Sequence, residues 1–240
     1  MVRVALASTA ALLAAAGTLA ACSDSPLADS VVRTPATSRA DATQPSTSPA
    51  TLGDDPVAAP GPDPSPAGGR PRRARLTVPA IGLHGLLVVP YRGSTDDAPG
   101  TRIQDRGLGA SPFGPHGGVG PGGLGNYQIT GHRTSSTHPF AALPSLRPGA
   151  RAIVVAGGVR YVYEIRRTRE TSFRSPRSLA RQRAPVPGHP GARPTHAYLT
   201  LSTCATQEDH AAGNYWSDAL HNPEHRIDKI GVLVRTVVTE

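Results

Sequence analysis

Apolar and polar residues alternate with a period of two over several short runs between residues 73 and 238. These runs are rich in β-branched residues, and Gly, Pro or polar residues separate them, as is typical of strands in a sheet-rich domain. They are RARLTVPAIGL (73–83), GLLVVPY (85–91), GNYQITGH (125–132), ARAIVVAGG (150–158), VRYVYEIRRT (159–168), HAYLTLSTC (196–204) and DKIGVLVRTVV (228–238). The pattern predicts an all-β fold, either a barrel or a sandwich.

Local signals predict how some of these strands are connected. Gly157 and Gly158 stand between two of the runs and predict a hairpin. Ser175 followed by Pro176 predicts the start of a short surface helix in SPRSLARQRA, and HPFAALPSL predicts one or two helical turns. Because no second linker interrupts residues 71–240, we expect them to form one domain, which is long enough to bury a core.

The N-terminal residues have the features of an export signal. Arg3 precedes an uncharged apolar run from Val4 to Ala20, so residues 1–21 are predicted to be a signal peptide. LAAC at 19–22 resembles a bacterial lipobox, which implies that Cys22 is lipidated and holds the protein at the outer face of the cytoplasmic membrane, facing the cell wall. An ordinary signal peptide or an uncleaved anchor is the alternative. Residues 22–70 are rich in Pro, Ala and Ser and predict a disordered linker.

The charge balance narrows the classes of ligand. The chain has 25 Lys and Arg against 17 Asp and Glu, a net charge of +8, and Lys229 is its only lysine. No basic run is interleaved with aromatic residues, so nucleic-acid binding is not expected. The nine histidines are scattered without metal-ligand spacing, so neither a metal nor another cofactor is expected. A cationic surface suits an anionic membrane or cell wall.

The two cysteines direct attention to one thiol. Lipidation of Cys22 would leave Cys204 without a disulfide partner in an exported protein. Cys204 ends one predicted strand and His132 follows another, so two strand ends can bring a thiol and an imidazole together. Arg226 and Arg235, at the start of and within the final strand, are candidate donors to a developing oxyanion. The alternative is a buried inert thiol among solvated charges.

The order of three motifs, TGHR, TLSTC and an HR pair followed by GVL, resembles the sortases, cysteine transpeptidases of Gram-positive cell surfaces. The TLxTC motif of that family matches residues 200–204, and its strand-Gly-His segment matches residues 129–133. RLTVPAIGLHGLLVV and PFAALPSLRPGA resemble further family segments, so the resemblance covers about residues 74–238. The pattern is most similar to the actinobacterial housekeeping type, often called class E.

The resemblance implies an eight-stranded sortase barrel with one or two short helices. It implies that Cys204 is the nucleophile, His132 the acid/base, and Arg226 the group that orients the oxyanion and the substrate. It also implies that Thr203 and Thr200 line the substrate site. The stretch between Cys204 and Arg226 is longer than in many family members, which leaves the choice between the two arginines open.

By the same resemblance, the substrate is an LPxTG-like or LAxTG-like sorting signal of a surface protein. It would be cleaved between Thr and Gly through a thioester on Cys204. The acceptor would be the amine of a peptidoglycan precursor of the lipid II type. Two other interpretations stay open. One is an L,D-transpeptidase-like wall enzyme, whose S-x-G-C-x-R motif is missing around Cys204, and the other is a non-catalytic cell-envelope lipoprotein that binds a ligand.

Overall fold

The computed structural model describes residues 68–239. The predicted signal peptide, Cys22 and nearly all of the predicted linker lie outside the described residues. The strands are β1 Ala74–Val78, β2 Leu83–Arg92, β3 Gly109–Phe113, β4 Gly125–Thr130, β5 Arg151–Ala156, β6 Val159–Ser172, β7 Ala197–Cys204 and β8 His225–Val238. The α-helices are α1 Ala98–Gln104, α2 Pro176–Arg183 and α3 Thr206–Ala211, and single 3₁₀ turns occupy Pro79–Ile81 and Leu143–Ser145.

The strands close into a barrel in the order β1-β2-β3-β4-β7-β8-β6-β5. The β2–β3 and β4–β7 pairs are parallel, and the other neighbouring pairs are antiparallel. The predicted eight-stranded barrel is therefore confirmed, and the sandwich is excluded. Three short α-helices accompany it, rather than the one or two that were expected. None of the helices in the described part of the chain has the length and apolar character needed to span a bilayer.

The barrel interior is filled by the apolar members of the alternating runs. Leu76, Val88, Val154, Tyr163 and Leu199 come from five different strands and are fully buried in one cluster. Complete burial of a side chain of this size stabilises the fold by roughly 1.5–3 kcal/mol relative to exposure. The period of two in the sequence is therefore the inward and outward alternation of a closed barrel.

The local signals in the sequence appear in the structure where they were expected. Gly157 and Gly158, with φ of +57° and +73°, form the two-residue turn between β5 and β6, a left-handed geometry that favours glycine. Helix α2 begins at Pro176, and the Ser175 hydroxyl accepts a hydrogen bond from the Ser178 amide. The predicted turns of HPFAALPSL are a single 3₁₀ turn.

Helix α2 covers polar residues on the outer face of the barrel. Asn126 of β4 donates to the Gln182 carbonyl at 2.9 Å, and Gln182 donates to the Asp228 carboxylate at 2.9 Å. Ser202 of β7 donates to the same carboxylate at 2.7 Å. These side chains are buried although their strand positions face away from the core. The polar face of β4, β7 and β8 is thus a hydrogen-bonded layer beneath a helix rather than a solvated surface.

Candidate active site

Three strands bring the predicted site residues to one edge of the barrel. Strands β4 and β7 are parallel neighbours, so their carboxyl ends lie at the same edge, and β8 runs antiparallel to β7 and begins there. His132 follows the end of β4, Cys204 ends β7, and Arg226 is the second residue of β8. The expectation that strand ends bring these residues together, although they are far apart in the sequence, agrees with this arrangement.

Cys204 and Arg226 are direct cross-strand partners. The Arg226 Nη1 group donates to the Cys204 Sγ atom. Arg226 is fully buried, whereas Cys204 keeps part of its surface exposed. A guanidinium is therefore fixed beside a thiol that solvent can reach.

Groups on several sides hold the Arg226 guanidinium. Its Nη2 donates to the Asn222 Oδ1 at 2.8 Å, and its Nε lies 3.2 Å from the Asp96 Oδ2 as an ion pair without hydrogen-bond alignment. The Phe173 ring lies against the guanidinium, with its centroid 4.6 Å from Cζ. Asp96 is almost completely buried, so this ion pair is shielded from water.

His132 is oriented by a carboxylate. Its Nε2 lies 2.8 Å from the Asp105 Oδ1, while Nδ1 makes no hydrogen bond within residues 68–239. Gly131, the residue before it, is fixed because its carbonyl accepts from the Thr203 hydroxyl at 2.8 Å. A side chain at position 131 would come within 2.9 Å of the Phe140 ring, so this turn requires glycine.

A single cleft reaches both the thiol and the imidazole. It has a volume of about 460 Å³. Cys204 and His132 line it together with Asp105 and Asn222. Its remaining lining residues are Thr101, Thr134, Ser135, Thr206, Ala219, Leu220, His221 and Pro223. A peptide in this cleft would meet a thiol and an imidazole, and the guanidinium that donates to the thiol is buried outside the cleft lining.

The surroundings of Cys204 favour the protonated thiol. Burial raises its pKa, and the negative charge of Asp96 acts in the same direction. The charge of Arg226 and its hydrogen bond lower that pKa and so oppose burial. The net direction is upward, so only a small fraction of Cys204 is the reactive thiolate at neutral pH.

A sequence model of the sortase domain family matches residues 76–219. The matched segment includes His132 and Cys204 and makes up more than half of the 240-residue chain. The chain belongs to the sortase family. It is therefore a cysteine transpeptidase, and the interpretation of a non-catalytic binding protein is wrong.

Solved sortase structures share the barrel at low sequence identity. The SrtA sortase from Actinomyces oris has a TM-score of 0.53 and 19% identity over 71% of this chain and 84% of that chain. Sortase E1 from Streptomyces coelicolor, solved with a tripeptide in its active site, has a TM-score of 0.50 and 21% identity over 69% of this chain and 90% of that chain. Sortase E from Streptomyces avermitilis has a TM-score of 0.50 and 22% identity over 71% of this chain and 91% of that chain. No curated protein sequence matches the chain.

The structure separates the remaining predicted sortase residues from the cleft. Arg235 is exposed and pairs with Val162 at the opposite end of β8 from Arg226. Thr200 and Thr203 are buried and do not line the cleft. The Thr200 hydroxyl donates to the Asn126 Oδ1 at 2.8 Å, and the Thr203 hydroxyl holds the turn before the histidine. Both threonines therefore support the strands of the site in this structure.

Several groups around the sortase site were not predicted. Asp96 precedes α1 and lies beside Arg226, and Asp105 follows α1 and lies beside His132. The two ends of one short helix therefore position both acids. The signal for that helix is present in the sequence, because Asp97 caps it and Pro99 lies in its first turn. Asn222 lies in the long loop before β8, where no pattern distinguishes it. Within residues 68–239, no cluster of His, Cys, Asp and Glu is arranged to hold a metal ion.

Proposed function

We propose that Cys204 is the nucleophile of the transpeptidation, with His132 as the acid/base and Arg226 as the oxyanion donor. The observation that carries this proposal is the shared cleft. Cys204 and His132 line it, and the buried Arg226 guanidinium donates to the Cys204 sulfur. Cys204 is also the only cysteine within the segment that matches the family.

The first half of the reaction forms a thioester. The Cys204 thiolate attacks the carbonyl carbon of the scissile peptide, and the carbonyl π electrons move to oxygen. When this tetrahedral intermediate collapses, the C–N bond breaks and His132 gives a proton to the leaving amine, a step usually worth about 10²–10⁴ in rate. In the second half, an acceptor amine attacks the thioester and loses a proton to His132, and the Cys204 thiolate leaves.

The hydrogen bond of His132 determines which of its nitrogens moves the proton. If Nε2–H donates to Asp105, Nδ1 is the nitrogen that accepts a proton from the acceptor amine and returns it to a leaving amine. Asp105 then holds one tautomer and one ring orientation, as a carboxylate does for a general base in other hydrolytic sites. Asp105 is a positioning residue in this scheme, because it touches the imidazole rather than the substrate.

Arg226 has two roles in the proposed cycle. In the resting enzyme its charge and hydrogen bond favour the Cys204 thiolate. Once sulfur has attacked the carbonyl carbon, the same Nη1 donor is close to the developing oxyanion. Loss of one such donor usually costs about 10²–10³ in kcat.

We propose an LPxTG-like or LAxTG-like sorting signal as the substrate and the amine of a peptidoglycan precursor of the lipid II type as the acceptor. The family supports a sorting signal and a peptidoglycan amine in general. Residues 219–223 of the loop before β8 contribute to the lining of the cleft, and its hydroxyl and apolar groups are in keeping with a Leu- and Thr-containing peptide.

The test combines the full chain with quenched fluorescent peptides that carry LPxTG, LAxTG or a scrambled motif, in the presence of a peptidoglycan stem-peptide amine. We expect Thr–Gly cleavage of one sorting motif and a new amide between its Thr carbonyl and the acceptor, both read by mass spectrometry. Arg226→Lys should lower kcat/KM about 10²–10³-fold. Arg235→Lys, the same change on the same strand, should leave it unaltered.

Two results would contradict the proposal. One is cleavage by Cys204→Ala at the rate of the wild type. The other is processing of a labelled muropeptide with no turnover of any sorting peptide, which would mean that the substrate is a wall peptide rather than a sorting signal.

A further inference from the structure

Three arginines meet in a second cleft, beside helix α2. The cleft has a volume of about 290 Å³ and is lined by Arg167 and Arg169 of β6 and by Arg181 of α2. It shares no lining residue with the cleft that contains Cys204. Nothing in the proposed transpeptidation uses these three side chains.

The backbone around Gly188 brings two of the guanidiniums together. Arg167 Nη2 donates to the Pro187 carbonyl, and Arg169 Nη1 donates to the Arg181 carbonyl at 3.3 Å. A Cβ atom at Gly188 would lie 3.0 Å from Arg169 Nη1 and 3.3 Å from Arg167 Nη2. The two guanidiniums therefore converge on one point, over a residue whose φ of +94° and missing side chain leave room for them.

The positive charges in this cleft have no close counter-charge. Within residues 68–239, no carboxylate oxygen lies within 4.0 Å of a guanidinium nitrogen of these arginines. The one acid of the cleft, Glu170, has its carboxylate 3.7 Å from His225 instead. Burial lowers the pKa of Arg169, and although Asp228 opposes this, the charges of Arg167 and Arg181 lower it further.

We propose that Arg167, Arg169 and Arg181 form a binding site for a phosphate or diphosphate group. A guanidinium presents a planar fork of donors that matches two phosphate oxygens, and three cations can neutralise a group that carries two or more negative charges. The Ser178 hydroxyl and the His189 ring lie in the same cleft and add donors. Bound phosphate would relieve the repulsion among the three arginines, which is the physical reason to expect binding.

The arginine cleft lies on strands that also carry residues of the candidate active site. Arg169 is the cross-strand partner of Asp228, and Thr171, two residues further along β6, is the partner of Arg226. Because side chains two residues apart on a strand share a face, Arg169 lies on the same face of the sheet as Arg226 and its partner Cys204. The proposal does not depend on which peptide or amine the enzyme uses.

Isothermal titration calorimetry of the full chain with inorganic pyrophosphate, at constant ionic strength in NaCl, tests the site. Flotation with phosphatidylglycerol vesicles, against neutral phosphatidylcholine vesicles, tests a lipid headgroup as the source of the phosphate. We expect Arg167→Gln and Arg181→Gln each to weaken binding about tenfold or more, because each removes charge-assisted hydrogen bonds. Both side chains are exposed, and circular dichroism should show the variants to be folded.

Arg160→Gln is the matched control. It removes the same charge from the same strand, but Arg160 is exposed and pairs with Val237 at the far end of β8. Weaker binding of pyrophosphate by the cluster variants alone supports a soluble or polymer-borne phosphate, and weaker flotation alone supports a lipid headgroup. The proposal is overturned if the wild type binds neither ligand, or if Arg160→Gln weakens binding as much as the cluster variants.

Discussion

Asp96, Asn222 and Phe173 fix the position of the Arg226 side chain, so a change at one of these neighbours tests whether that position matters. Asp96 forms the ion pair with Arg226 Nε from a backbone with φ of +58°, a left-handed conformation that Asp and Asn tolerate better than other side chains. Gln104 also donates to the Asp96 Oδ1, at 3.1 Å. Asp96→Asn therefore keeps the backbone and the size of the side chain, but it removes the charge and replaces the oxygen beside Arg226 Nε by an NH2 group.

Asp96→Asn should change two rates in opposite directions. The Asp96 charge raises the pKa of Cys204, so its loss should lower that pKa and speed alkylation of the thiol by iodoacetamide at pH 7–8. The same change loosens Arg226 and should slow peptide cleavage about 10- to 100-fold. Alkylation is measured in a Cys22→Ser background, where Cys204 is the only thiol.

Asp97→Asn is the control for this pair of measurements. It makes the same charge change at the neighbouring residue, and Asp97 is not among the charges that shift the pKa of Cys204. Asn keeps the helix-cap bond from the Gly100 amide and loses only the bond from the Ser94 amide, which is made to the other carboxylate oxygen. We expect little change in either rate. Slower alkylation of Cys204 in Asp96→Asn, or undiminished peptide cleavage, would show that Asp96 does not act on the site as described.

At the scale of elements, α3 is joined to the start of β8. The buried Asp209 carboxylate of α3 accepts from the His225 amide at 3.0 Å and contacts its Nδ1 at 2.6 Å. Burial disfavours charged His225, but the hydrogen bond and charge of Asp209, with Glu170 and Glu224, raise its pKa overall. Since Cys204 lies just before α3 and Arg226 just after His225, this contact fixes both flanks of the site.

Asp209→Asn should destabilise the fold in a pH-dependent way. We expect a loss of about 1.5–3 kcal/mol in the free energy of unfolding, the usual contribution of hydrogen bonds to a charged group. Because the pKa of His225 is raised in the folded state, the charge contribution is fully present below the unfolded value of about 6.5 and is lost as the pH rises through the folded value.

Urea unfolding at pH 5.5 and pH 8.5 measures the effect, and the NMR titration of His225 should show a lower pKa in Asp209→Asn. In a His225→Gln background, Asp209→Asn should lose its pH dependence. If Asp209→Asn lowered the free energy of unfolding equally at both pH values in the otherwise unchanged protein, the charge of Asp209 would not act through His225.

Helix α1 shows why part of the site escaped prediction. Its seven residues are too few for hydrophobic periodicity to be seen, although Asp97 and Pro99 mark its start. Strand β3 escaped for a related reason, because Pro112 lies within it and its neighbours are rich in glycine. It pairs in parallel with β2, and only Ala110 pairs with Thr130 of β4.

At the scale of the whole molecule, barrel closure decides which residues meet. Alternation, turn residues and strand-end motifs are local features, and they were enough to predict seven of the eight strands, the β5–β6 hairpin and α2. They also indicated that Cys204 and His132 lie at the ends of two strands. The acids of the site could not be predicted, because Asp96 and Asp105 acquire their partners only when β2, β4, β7 and β8 are in place. Strand order also places Arg226 rather than Arg235 beside Cys204, since the two arginines lie at opposite ends of β8.

The most direct test of the account is to locate the acyl group during turnover. The Cys22→Ser chain is incubated with a sorting peptide and quenched in acid, and the trapped enzyme is digested and analysed by mass spectrometry. We predict an adduct with the mass of the N-terminal peptide fragment on Cys204, sensitive to hydroxylamine as a thioester is, and its absence in the Cys22→Ser, Cys204→Ala double variant. Turnover by that double variant, or an acyl group on any other residue, would contradict the central role of Cys204.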